Sequence, residues 1–263
     1  MLKLTSSQNP KIKQVVRLKE RRERDATGLF LIEGYRELKR AVEGGVAFHT
    51  LFISPELFLG TNEEELIQQI NSETLTLPSH LFEKISYRDR PDGLVAIAHQ
   101  RKHPLAIRKD PPLFVVAESI EKPGNLGTIL RSSDGVGADG VIVCDRCTDI
   151  YNPNVVRASV GTLFTLPVIE TEGKVALDWL KEHHIQIVAA TPAAEKVYTE
   201  VDLSGPVAIV VGTEQLGLSS LWMEGADLQV KIPMHGAADS LNVATATTLL
   251  LYEVVRQRSY LPR

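Results

Sequence analysis

Three short polar segments of this 263-residue chain carry more reactive side chains than turns require. In EKPGNLGTILRSSDG (121–135), Asn125 and Arg131 stand six residues apart. On a helix that is nearly two turns, so both side chains leave on roughly similar sides. In VVGTEQLGLS (210–219), Glu214 stands between Gly212 and Gly217, and Gly217 permits a tight loop. In KIPMHGAADSLNVATA (231–246), Ile232-Pro233-Met234 leads through a glycine-containing loop to Asp239-Ser240-Leu241-Asn242 and a continuous apolar run. A helix start needs one capping side chain, and here three polar residues crowd into four positions. Loops of this composition offer backbone N–H and C=O groups to a polar, planar ligand, with glycine allowing close approach.

Each segment must be held by a strand before it and a helix after it. LFVVAE (113–118), GVIVC, FTLPVIE, IQIVAA, VAIVVG (207–212) and LQVKIP (228–233) read as strands, separated by helical stretches such as EGKVALDWLKEHH. Such alternation predicts a parallel α/β sheet covered on both faces. All three overloaded segments follow the carboxyl ends of predicted strands, the edge at which open α/β sheets bind ligands. Upstream, FLIEG, TLFIS, TLTLP and GLVAIAHQ are predicted strands, and YRELKRAVEGG a helix ended by Gly44 or Gly45. RKHPLAIRKDPP (101–112), with three prolines and five basic positions, reads as a linker between two domains.

Charge is unevenly spread. The net charge is −4, yet residues 1–24 hold eight lysines and arginines against two glutamates. A basic segment on an otherwise acidic protein suits an arm that meets phosphates, and a solvated helix face fits equally. The amino-terminal MLKLTSSQNPKIKQ has no apolar core of a signal peptide, and no run approaches a bilayer span, so a cytoplasmic location with no membrane partner is expected.

Several motifs dissolve on inspection. Gly135, Gly137 and Gly140 spell G-x-G-x-x-G, but the helix precedes them and the strand follows, the reverse of a dinucleotide site. No P-loop pattern occurs. Cys144 and Cys147 form a C-x-x-C without two further evident zinc ligands and without the setting of a redox pair, so they read as small residues at a strand end and no metal is expected.

NLGTILRSSDGVGADGVIV, VGTEQLGLS and IPMHGAADSLNVATATTLLLYEVVRQR together resemble the three ordered motifs of the SpoU/TrmH class of SPOUT methyltransferases. FLIEGYRELKRAVEGG and GLVAIA more loosely resemble the L30e-like substrate-binding domain that precedes the catalytic domain in many members. The resemblance implies an α/β chain divided into a basic arm (1–24), an L30e-like domain (25–100), the linker (101–112) and a SPOUT domain (113–263) with a deep trefoil knot. It also implies a homodimer whose active site draws on both subunits. The activity implied is transfer of a methyl group from S-adenosylmethionine to a ribose 2′-hydroxyl of RNA, with ribosomal RNA favoured over transfer RNA.

Carried over by position, the motifs assign Asn125, Arg131, Glu214, Ser240 and Asn242 to catalysis. Gly212, Gly217, Ile232, Met234 and Leu241 are assigned to the cofactor. Asp239 is left to cap the helix, and Ala244, Thr245 and Ala246 to let it pack closely. Methyl transfer to an alcohol is an in-line displacement that needs alignment first. Arg131 acting as base would be costly, because its pKa above about 12 puts deprotonation near pH 7 at roughly 7 kcal/mol. Orienting the hydroxyl and an adjacent phosphate carries no such cost. The rival of a different class is a non-catalytic RNA-binding protein keeping the same fold, which has no need of all five polar residues.

Overall fold

The structure is a computed structural model, and it describes residues 2–145, 148–213 and 215–259. The chain forms two compact units. The first comprises residues 1–101 together with 149–165, and the second comprises 102–148 together with 166–263.

In the first unit, β1 (Leu2–Lys3), α1 (Pro10–Arg17) and α2 (Arg21–Thr27) precede β2 (Leu29–Glu33) and α3 (Tyr35–Glu43). β3 (Phe48–Ile53), α4 (Glu63–Gln69), β4 (Glu73–Thr76), α5 (Ser79–Ile85) and β5 (Leu94–His99) follow. The five strands form one sheet in the order β1-β4-β3-β5-β2, with β5 antiparallel to both its neighbours. Gly45 rather than Gly44 takes the left-handed position after α3.

The amino-terminal basic segment is not a free arm. Ile12 and Val15 of α1 and Leu18, which ends it, lie three residues apart and are buried in the core with Phe52, Leu75 and Phe82. Among its cations, Lys11 pairs with Glu73 and Lys19 donates to the Ser86 carbonyl at 2.7 Å. Arg24 is 1% exposed: its Nε donates to Asp149 Oδ2 at 2.7 Å, and its Nη1 donates to the carbonyls of Leu18 and Lys19.

Asp149 belongs to the stretch that returns to this unit from between two strands of the other. That stretch includes α7, labelled after α6 (Pro123–Gly135) of the second unit and spanning Pro153–Ala158. It packs on β2, and Tyr151 and Phe164 set their rings 4.5 and 5.8 Å from Phe30. The strand pattern in the sequence had run the second domain unbroken from residue 113.

The second unit holds β6 (Leu113–Glu118), α6, β7 (Gly140–Cys144), β8 (Val168–Thr171), α8 (Gly173–Glu182), β9 (Gln186–Ala190) and β10 (Lys196–Val197). β11 (Val207–Val211), α9 (Ser220–Gly225), β12 (Leu228–Lys231) and α10 (Val243–Ser259) complete it. Seven strands, all parallel, run in the order β10-β12-β9-β11-β6-β7-β8. β6, β7 and β11 are buried along their whole lengths, as continuous Val/Ile runs in a doubly covered parallel sheet should be. The chain builds outward from β6 through β7 to β8, then crosses to the other side, so the strand order reverses between β6 and β11. No described helix is long and apolar enough to cross a membrane.

Candidate active site

Four loops leave the carboxyl ends of β6, β9, β11 and β12 on one edge of the sheet, beside the point where the order reverses. Between the last three and the start of α10 lies a cavity of about 360 Å³. Thr191 and Pro192 line it after β9, Gly212, Thr213 and Gln215 to Gly217 after β11, and Ile232 and Met234 after β12. Asp239, Ser240 and Leu241 close it from the α10 side, with Leu250 behind them. All five residues expected to hold a cofactor, Gly212, Gly217, Ile232, Met234 and Leu241, therefore line one cavity, and Ser240 joins them.

The β11 loop is shaped by backbone. Thr213 and Gly217 exchange N–H···O=C bonds of 3.2 and 3.1 Å, and the Thr213 hydroxyl accepts from the Leu216 N–H at 2.9 Å. Gly217 has φ +68°, which glycine adopts without strain. At Gly212 a Cβ would sit 2.4 Å from the Gly217 carbonyl oxygen, so no larger residue fits this closure. Glu214 lies outside the described residues.

A narrower annex of about 40 Å³ shares Thr213, Gln215 and Val243 with the main cavity and adds Glu121, Lys122 and Asn125 from the β6–α6 joint. Asn125 thus stands beside the cavity, and its Oδ1 accepts from Asn242 Nδ2 at 3.1 Å. The Asn242 amide is oriented by its other end, because Oδ1 accepts the N–H groups of Ala244 (3.0 Å) and Thr245 (3.4 Å). Asn242 is therefore the helix cap, and α10 begins at Val243 instead of Ser240. Asp239, expected to cap, belongs to the cavity wall. The surplus of polar residues divides accordingly: one caps and two face the cavity.

Arg131 is set apart. It lies on the exposed side of α6, lines neither cavity, and its guanidinium has no hydrogen-bonding or ionic partner among the described residues. α6 packs on α10, where the Ser132 and Thr248 hydroxyls meet at 2.7 Å. Leu249 (38% exposed) and Tyr252 (52%) lie uncovered on α10. Sequence reasoning missed Thr191, Pro192, Thr213 and Gln215. The rule that pointed to the other three loops, position after a strand's carboxyl end, applies to Thr191-Pro192 as well.

Cys144 ends β7 fully buried, and burial first, then the neighbouring Asp145 and Glu118 carboxylates, push its thiol up to about 12. Such a thiol is inert at neutral pH. Cys147 lies outside the described residues.

A model of the SpoU rRNA methylase family matches residues 112–252. The chain belongs to that family. A model of the MRM3-like substrate binding domain matches residues 9–96 of this SpoU-family chain, beginning at Asn9, the residue that caps α1. The 23S rRNA (uridine(2479)-2′-O)-methyltransferase of Streptomyces viridochromogenes is 34% identical over 92% of this chain and 87% of its own length. The 23S rRNA (guanosine(2553)-2′-O)-methyltransferase RlmP of Bacillus subtilis is 28% identical over 97% and 99%. Among solved structures, the AdoMet-bound rRNA methyltransferase of Sinorhizobium meliloti is 31% identical, covers 97% of each chain and superposes with a TM-score of 0.89.

Proposed function

We propose that this SpoU-family chain transfers a methyl group from S-adenosylmethionine to a ribose 2′-hydroxyl of ribosomal RNA, acting as a cytoplasmic homodimer. One observation carries the reading: the cavity lined by all five expected cofactor residues shares Thr213, Gln215 and Val243 of its wall with an annex that holds Asn125. The two relatives named above are 23S rRNA 2′-O-methyltransferases, and a structural neighbour is AdoMet-bound.

The cavity suits that cofactor. Its volume lies at the lower end of the roughly 300–1,000 Å³ typical of small-molecule sites. Leu241, Met234 and Leu250 offer apolar surface for an adenine ring, and the Gly212–Gly217 closure brings backbone groups close enough to bind polar edges. When bound, the cofactor supplies an electrophilic methyl group on a sulfonium. The protein's own task is alignment and handling of one proton. Asn242, fixed by capping α10, positions Asn125 at the annex, and Ser240 stands in the cavity wall.

Arg131 fits the homodimer reading. Exposed on α6, which packs on the α10 that carries the uncovered Leu249 and Tyr252, and without a partner among the described residues, it serves the site of a second copy, where it orients the hydroxyl and its phosphate. The trefoil knot belongs to the same reading, with the α10 segment threaded to close the cavity.

The test is incubation of the protein with labelled S-adenosylmethionine and unmodified ribosomal or transfer RNA, followed by alkaline hydrolysis. Label in a dinucleotide that resists cleavage, from ribosomal RNA, is expected. Label in transfer RNA alone would move the substrate, and binding of RNA and cofactor without transfer would favour the non-catalytic rival.

A further inference from the structure

The first unit contains a larger cavity that the catalytic reading does not use. It is a cleft of about 800 Å³ built from three stretches distant in sequence. Tyr35, Arg36 and Glu37 open α3, Leu59 to Glu63 lead into α4, and Arg88 to Asp92 precede β5. The returning stretch adds Arg157 of α7 and Val160.

Its charges are layered. Four arginines face four acidic residues, so the formal balance is zero, but the acidic members are largely spoken for or buried. Arg88 lies 2.7 Å from Glu37 Oε1 and 3.8 Å from Asp92 Oδ2. Burial, opposed by Arg88, also holds the Glu37 carboxyl above its usual range. Arg36, Arg90 and Arg157 are exposed at the rim, and none has an ionic or hydrogen-bonding partner among the described residues. Only Asp89 opposes them there. The rim is therefore cationic on a chain of net charge −4. Below it, Glu63 Oε2 and Asp92 Oδ1 are buried with no donor, although each carboxylate's other oxygen accepts a backbone N–H, from Gly60 and Tyr35 respectively.

We propose that this cleft is a subsite for one unpaired nucleotide of the RNA, distinct from the nucleotide that is methylated. Its phosphates lie on Arg36, Arg90 and Arg157, and its base lies between Tyr35 and Leu59. The inference rests on the reading of the chain as an RNA methyltransferase. Three chemical facts select this ligand. Three unpaired guanidiniums from separate elements match phosphate oxygens, which they hold by paired N–H bonds. A concave volume of this size admits a splayed-out nucleotide, and proteins read RNA sequence mostly in such unstacked bases, often on aromatic rings. The inner lining is rich in acceptors, so a base presenting amino donors (guanine, adenine or cytosine) is favoured over uracil. Leu59, 82% exposed at the mouth, offers the second face for the base.

The test uses the full chain and a ribosomal RNA fragment, with binding measured directly by titration across a salt series. Each of Arg36→Ala, Arg90→Ala and Arg157→Ala should weaken binding several-fold and lower the slope of log K against log salt by about 0.7–0.9. Cofactor affinity and melting temperature should not change. Arg→Lys at the same positions should restore the slope but only part of the affinity. In a second measurement, a photo-crosslinking p-benzoylphenylalanine placed at Leu59 should mark an unpaired base that is not the methylated one. Wild-type affinity and slope in all three alanine variants, or crosslinks only to duplex or to the target nucleotide, would overturn the proposal. If the unaltered protein binds RNA through these arginines but transfers no methyl group, the transferase reading fails and the cleft stands.

Discussion

The cofactor cavity and the arginine-rimmed cleft bind by opposite means. The one in the second unit is walled by backbone closures, glycine and aliphatic side chains, and its shape depends on where a Cβ is absent. The cleft in the first unit is walled by charged side chains, and its character depends on which arginines are left unpaired. A backbone-built site is rigid and suits a ligand of fixed covalent structure. A site of long charged side chains is adaptable and salt-sensitive, which suits a polyanion. The two should therefore fail differently when perturbed.

The largest effect is expected at Arg24, which anchors the returning stretch within the first unit. Its guanidinium and Asp149 are 1% and 3% exposed, so Arg24→Ala leaves a buried carboxylate without its partner, at a cost of about 3–5 kcal/mol. Chemical denaturation should show that loss, with RNA binding falling alongside. Replacing both residues with apolar ones, Arg24→Met with Asp149→Leu, should recover most of it. A double variant as unstable as the single one would mean that the hydrogen bonds to Leu18 and Lys19, and not the ion pair, hold the stretch.

Next comes Arg131→Ala. Loss of one preorganised group at a developing charge typically costs about 10²–10³ in rate, and kcat should fall by that order with cofactor affinity retained. Mixed dimers would sharpen the point. If Arg131 serves its neighbour's site, an Arg131→Ala subunit paired with an Asn125→Ala subunit should keep one working site, whereas inactivity of that pairing would return Arg131 to its own cavity.

Gly212→Ala probes the backbone-built cavity alone. With its methyl 2.4 Å from a carbonyl oxygen, the β11 loop must shift, and overpacking of this kind costs about 1–3 kcal/mol. Calorimetry should find S-adenosylmethionine binding reduced at least tenfold and RNA binding by the first unit unchanged. Unchanged cofactor affinity would show that the closure does not shape the site.

How far these contrasts were legible beforehand follows from how each cavity is made. The second unit announced itself because continuous Val/Ile runs, glycines and strand ends are local signals, and the sheet-edge rule converts them into a place. Even there the start of α10 was read three residues early. Asp239 and Ser240 are good caps in isolation, and only the fold draws them into the cavity and leaves the task to Asn242. In the first unit the decisive pairings are remote. Arg24 and Asp149 are 125 residues apart in sequence, and Arg157 reaches the cleft from beyond β7. The basic segment looked like an arm because eight cations outshone Ile12, Val15 and Leu18, whose spacing marked a buried helix face.

Asn242→Ala should have a more modest effect on stability. Loss of a side-chain cap costs typically about 1 kcal/mol, measurable as a lower melting temperature. The same change releases Asn125, so kcat should fall by more than cofactor affinity does. Asn242→Asp separates the two roles. A carboxylate still caps α10 and is favoured at a helix N-terminus, but it cannot donate to Asn125 Oδ1. Normal stability with impaired turnover would place the function of Asn242 in that hydrogen bond, whereas normal turnover would leave it a cap only.

The smallest effect belongs to Glu37, under the arginine rim. Burial raises its carboxyl pKa, Asp92 adds to the shift, and Arg88 opposes both. Because the folded value lies above the unfolded one, near about 4.3, its contribution to stability is fully present below that pH and is lost as pH rises through the folded value. Glu37→Gln removes the titration while keeping an acceptor for Arg88. Relative to the variant, the wild-type protein should therefore lose stability as pH climbs from about 4 towards neutrality. Parallel stability curves would mean that Arg88 compensates the ionised carboxylate fully, and that the cleft floor is as negative as its composition suggests. In that case the three rim arginines would be set against their own floor, and their unpaired state would reflect distance from it.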